Sequence, residues 1–187
     1  MRHVNLDQYK KVPALRGRGI LVETLWILVQ FLVVSSFQPF SAIRVAALRL
    51  FGAKIGKGVL IKSHVKIKYP WKLQIGNHTW IGECAWIDNL DMVSIGNHCC
   101  VSQGVYICTG NHNWTSQQFE LDYAPVILED CTWLCARSSV APGVRVGEGA
   151  VLTIGSVAVN DLASWEIHAG NPAHATKKRV INKSTAC

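Results

Sequence analysis

"IGNHTW IGECAW IDNLDM VS", residues 75–94, runs directly into "IGNHCC VSQGVY ICTGNH", residues 95–112. An aliphatic residue opens each block of six, and Ile75 and Ile95 stand 20 positions apart. The preceding stretch from Ile55, "IGKGVL IKSHVK IKYPWK LQ", has the same layout. The count resumes at Leu128 as "LEDCTW LCARSS VAPGVR VGEGAV LTIGSV", placing Leu134, Val140, Val146 and Leu152 in phase. A period of six matches neither the helical 3.6 nor a two-residue alternation. It fits a coil with three short flat sides, in which each hexad supplies one strand and one corner. The aliphatic residue then points inward, and Gly or Asn accepts the tight backbone near the corner. Stacked coils would bury a continuous column of Ile, Leu and Val, with strands about 4.8 Å apart.

The expectation is therefore an all-β parallel β-helix over residues 51–160, with residues 1–50 ahead of it and a basic extension over 161–187 behind. The composition agrees with one globular domain: 187 residues, 49% hydrophobic and 17% charged. A net charge of +7 suggests an anionic partner, but no nucleic-acid recognition module is visible. Seven cysteines form no pair of CxxC motifs, which argues against a structural zinc site. Most of them fall beside apolar positions and read as reduced, small core residues of a cytoplasmic protein.

The apolar run "GILVETLWILVQFLVV", Gly19–Val34, contains Glu23 and Gln30 and is short for a bilayer span of about 20 residues. It has no signal-peptide cleavage site. Lys10, Lys11, Arg16 and Arg18 precede it and Arg44 and Arg49 follow. Two readings of residues 19–43 stand side by side: an interfacial helix at the inner face of a membrane, or a helix packed on protein.

The hexads break once. Ile107 opens a block with His112 at its sixth position, and the next clear block starts at Leu128. The insertion "NHNWTSQQFELDYAP" is long for a compact domain, and such loops are more often functional than incidental. A histidine here could act as a general base, since its pKa lies near neutrality.

These hexads resemble the hexapeptide-repeat acyltransferases, whose fold is a left-handed parallel β-helix. The likeness spans about residues 50–182 and ends on "HAGNPAHATKKR". "RLFGAKIGKGV" and "YPWKLQIGNHTWIGECAWIDNL" resemble more narrowly the colanic acid and other polysaccharide O-acetyltransferases. The resemblance implies a homotrimer that moves an acetyl group from acetyl-CoA to a sugar hydroxyl in cell-surface polysaccharide synthesis, with His112 as catalytic base. It places the cofactor against Trp133, Gly149, Ala150, Gly155 and Ser156, with its phosphates near Lys177, Lys178 and Arg179. Where galactoside-type relatives orient the acceptor with asparagine, this chain has Gly82. Acceptor contacts then fall to Glu83, Asp88 and Asn89, together with Asn111 and Trp114 beside His112.

No metal is expected. His78 and His98 occupy equivalent corners and should stack, but Gln117 and Gln118 fill the stretch near His112 where a carbonic anhydrase of this fold would place a ligand. His64, His168 and His174 have no evident partner. The alternatives are a non-catalytic β-helix scaffold and an acetyltransferase with a non-sugar acceptor. Serine acetylation is disfavoured because about 50 residues leave no room for the helical domain of those enzymes.

Overall fold

The computed structural model describes residues 3–9 and 16–182. Lys10 and Lys11, part of the expected basic flank, lie outside that range. From Lys54 onward the chain winds as a parallel β-helix with three faces. The first face stacks Lys54–Ile55, Leu73–Ile75, Val93–Ile95, Val126–Leu128 and Arg145–Val146. The second stacks Leu60–Ile61, Trp80–Ile81, Cys100–Val101, Trp133–Leu134 and Val151–Leu152, then Glu166–Gly170 and an antiparallel edge strand, Ala173–Lys178. The third stacks Lys66–Ile67, Trp86–Asp88, Tyr106–Cys108, Ser139–Val140 and Val157–Ala158.

Register follows the hexads. Ile55, Ile75, Ile95, Leu128 and Val146 align on the first face. On the second, Ile61, Ile81, Val101, Leu134 and Leu152 align, and all are essentially fully buried. Such columns supply the apolar burial that holds neighbouring coils together, at about 25 cal/mol per Å² removed from water.

The corners differ from the expectation in one respect. The residue with positive φ is the fourth of the hexad, and it is often not glycine: His78 (55°), Cys84 (58°), His98 (54°) and Cys131 (60°) all occupy it. The glycine that follows the aliphatic residue has another cause. A Cβ on Gly76 would lie 2.6 Å from the Gly96 carbonyl carbon, so glycine lets successive coils approach. The cysteines also divide. Cys99 is buried as expected, whereas Cys84 is exposed at its corner and the other described cysteines are half-buried, all of them free thiols.

A β-helix exposes unpaired backbone groups at its first coil, and these must be satisfied. Two helices do this: α1 (Ile20–Val29), continued by a π-helical turn over Gln30–Val34, and α2 (Ser41–Leu50). Ser41 and Arg49 bond Ile61 N and Ile55 O, while Gln30 and Trp26 bond Ile67 N and O. Ser35 donates to Val65 O at 2.9 Å. Helix α2 was not distinguished in the sequence, although Ser41 after Pro39 is a start signal. Among the described residues no helix is long and apolar enough to cross a membrane.

Arg44 is the centre of this cap. It is 2% exposed, yet donates to the carbonyls of Val34, Ile61, Ser36 and Gln38. Burial pulls its pKa below the usual arginine value. Arg44→Ala should strand these carbonyls and lower stability by roughly 3 kcal/mol, measured by urea unfolding. A loss below about 0.5 kcal/mol would show that water replaces the guanidinium.

Candidate active site

The third and first faces meet at the corner where the hexads break. One coil normally advances 20 residues along the first face, from Ile55 to Ile75 to Ile95, but 33 from Ile95 to Leu128. The extra chain is not an irregular loop. Gly110–His112 pairs antiparallel with Leu121–Tyr123, so the insertion is a β-hairpin rooted on the coil by the Ala124 N to Thr109 O bond. Gly110 packs where a Cβ would meet Leu90 at 2.3 Å, which seats the hairpin on the coil below.

His112 is half-buried on the hairpin. Its ring stacks on Phe119, with centroids 4.2 Å apart and planes 7° apart, and Nδ1 lies 2.8 Å from the Phe119 carbonyl oxygen. A carbonyl oxygen only accepts, so Nδ1 carries hydrogen in this contact, and in the neutral ring Nε2 keeps its lone pair. Tyr9, from the N-terminal segment, sets its ring edge-on to His112 at 5.6 Å, and Asn5 N donates to Gln117 O. Asn111 Oδ1 accepts from His112 N at 2.8 Å, and Trp114 is 77% exposed on the same hairpin.

Asp88 lies just beneath this corner, its carboxylate divided between Lys68 at 2.8 Å and the Tyr106 hydroxyl at 3.2 Å. Burial, followed by Cys108 and Asp88, raises the Tyr106 pKa well above the usual phenol range, so the phenol stays a donor. Asn89 was expected to meet the acceptor, but it is fully buried. Its amide bridges Tyr69 and Lys72 of the coil below, fixing the corner instead of facing solvent.

The other expected site residues sit elsewhere on the prism. Glu83 is at the corner between the second and third faces and accepts from Ser63 Oγ. Trp133 stands outward on the second face, its Nε1 donating to Ser102 Oγ at 2.9 Å. Nearby a cleft of about 430 Å³ is lined by Trp80, Glu83, Cys100 and Ser102. Gly155 is exposed, but Gly149, Ala150 and Ser156 are buried. Gly149 has φ +64° and lies under the Trp165 ring, while Ser156 Oγ accepts from Gly170 N.

The basic tail is largely spoken for. Arg179 donates to Cys131 O and Gly149 O, and Lys178 pairs with Glu166 at 2.5 Å. The Lys178 contact holds the Glu166 carboxyl below its usual pKa. Lys177 is exposed. His78 and His98 stack at 5.3 Å, as their spacing implied, and among the described residues no three of His, Cys, Asp or Glu converge on a metal. His168, without an evident partner in sequence, is buried with Nε2 3.8 Å from Glu166.

Comparison with known proteins identifies the family. The chain is 38% identical over 177 residues to the provisionally named colanic acid biosynthesis acetyltransferase WcaF of Escherichia coli (strain K12), covering 94% of this chain and 97% of that one. The chain belongs to the hexapeptide-repeat acetyltransferases. It is an acetyltransferase of that family, with the parallel β-helix as its core. Among solved structures, the hexapeptide-repeat acetyltransferase VCA0836 from Vibrio cholerae superposes with TM-score 0.80 at 18% identity, over 92% of this chain and 97% of that one. A galactoside acetyltransferase in complex with coenzyme A superposes with TM-score 0.79 at 16% identity, over 90% and 84%. No family model matches the chain.

Because Arg179 bonds two carbonyls and covers Trp165 at 6.0 Å, its removal should register first as instability. Arg179→Gln is expected to cost about 1–2 kcal/mol in urea unfolding. Unchanged stability combined with a raised KM for the acyl donor would instead make Arg179 a ligand contact.

Proposed function

We propose that this acetyltransferase transfers the acetyl group of acetyl-CoA to a sugar hydroxyl in polysaccharide synthesis, with His112 as general base. The contact between His112 Nδ1 and the Phe119 carbonyl carries the reading, because it leaves Nε2 as the proton acceptor on a ring clamped by Phe119. Nε2 takes the hydroxyl proton while the oxygen bonds to the thioester carbonyl carbon. The carbon–sulfur bond then breaks, and the proton passes to sulfur, giving an ester and a free thiol. General-base help of this kind is worth roughly 10² to 10⁴ in rate. The likeness to WcaF supports a saccharide acceptor, and the likeness to a coenzyme A complex supports the donor.

Assembly supplies what one chain separates. His112 lies at the corner of the third and first faces, whereas Trp133 and the cleft lined by Trp80, Cys100 and Ser102 lie on the second. A homotrimer that sets the second face of one copy against that corner of the next would bring them together. In it, exposed Trp133, Gly155, Lys177 and Lys178 carry the cofactor contacts, and Asn111, Trp114, Asp88 and Glu83 line the acceptor side. The buried Gly149, Ala150, Ser156 and Asn89 shape the walls from behind.

His112→Ala should keep its melting temperature and its affinity for coenzyme A while turnover falls at least about 10²-fold. Thiol release from acetyl-CoA, followed over free, nucleotide-linked and lipid-linked sugars, measures this and identifies the acceptor. Wild-type turnover in the variant would remove His112 from the chemistry.

A further inference from the structure

The two capping helices close the first coil with their inner sides and leave their outer sides bare. Leu21 (83% exposed), Phe31 (74%) and Leu50 (82%) are the most exposed of a set that includes Ile20, Ile27 and Phe40 on these helices and at their junction. Apart from Glu23 and Thr24, helix α1 is apolar but buries only Trp26 completely, an arrangement that calls for a second apolar partner. Beside it a largely apolar groove of about 940 Å³ is lined by Ile27, Phe31, Leu32 and Trp86, together with Lys66 and the Lys68–Asp88 ion pair.

Charge says what that partner is. Residues 1–68 hold twelve Lys and Arg against two Asp and Glu, while residues 69–187 hold seven against ten. Of the two acids, Glu23 is paired with Arg16 at 2.9 Å. Lys54, Lys57, Lys62 and Lys66 are exposed on the first coil, the coil that both helices cap. A second copy offering the same surface would bring like charge against like charge. A spanning arrangement fails on length, since residues 20–34 extend about 22 Å at about 1.5 Å per residue, against about 30 Å of hydrocarbon.

We propose that the outer faces of the capping helices, ringed by the first-coil lysines, dock this acetyltransferase on the interface of an anionic lipid bilayer. The apolar side chains enter the headgroup boundary and the lysines meet the lipid phosphates. The proposal does not depend on the acceptor or on His112.

Flotation of the full chain with vesicles tests it. The protein should float with phosphatidylcholine–phosphatidylglycerol vesicles at low salt, float poorly with phosphatidylcholine alone, and detach as salt rises. Leu21→Asp with Phe31→Asp should cut the bound fraction about tenfold or more while leaving transfer to a soluble acceptor unchanged. Lys54→Gln, Lys57→Gln and Lys62→Gln together should weaken binding about tenfold and flatten its salt dependence. Wild-type protein left in the soluble fraction at low salt would overturn the proposal. So would wild-type flotation of the aspartate variant, or light scattering in which that variant changes only the oligomeric state.

Discussion

Everything in this molecule depends on closing a backbone ladder that would otherwise end in open edges. Each coil donates to the next, as when Gly56 N reaches Ile75 O and Gly76 N reaches Ile95 O at 2.8 Å. Such a ladder is self-propagating, so its ends are where chains could add without limit. At the last coil the antiparallel pair Glu166–Gly170 and Ala173–Lys178 turns the second face back on itself. At the first coil the solution is made of side chains, with Trp26, Gln30, Ser35, Ser41, Arg44 and Arg49 each bonding a backbone group that no strand meets. A helical cap of this kind needs a polar inner line, and Arg44 supplies much of it from a fully enclosed position.

The rigidity of the ladder is what makes the broken corner useful. A hairpin extruded from one corner interrupts no pairing on any face, because Val126–Leu128 still pairs with Val93–Ile95. His112 therefore sits on a two-stranded element fixed at its root instead of on a free loop. Residues ahead of α1 also touch the coil and the hairpin. Trp71 Nε1 donates to Arg16 O at 2.7 Å, just before α1, and the same N-terminal segment carries Tyr9 and Asn5 against the hairpin.

Much of this was legible because a solenoid repeats its local rules. The hexads set the faces, the register and the place of the interruption, and the stacking of His78 on His98 followed from equivalence alone. What escaped had no period. The hairpin pairing of Gly110–His112 with Leu121–Tyr123 leaves no alternation in "NHNWTSQQFELDYAP". Helix α2 is short, and its purpose lies in contacts made 17 to 20 residues away, Arg44 to Ile61 and Ser41 to Ile61. The family resemblance implies ligand contacts for Asn89 and Arg179 but carries no information on their partners within the chain. Both bond carbonyls of other coils, which only tertiary structure reveals. Corner positions misled in the opposite sense, since a left-handed residue need not be Gly and here is often His or Cys.

In a solenoid, order in sequence becomes height along the axis, so the charge asymmetry of the chain becomes a polarity of the molecule. The basic, apolar-capped end comes first, and the hairpin with His112 issues from the third coil, two spacings above the first, or about 10 Å. A helix layer adds about 10 Å more. With the cap against a bilayer, the hairpin would stand above the first two coils. The stacking itself thus sets the proposed docking end and the hairpin at different heights along the axis.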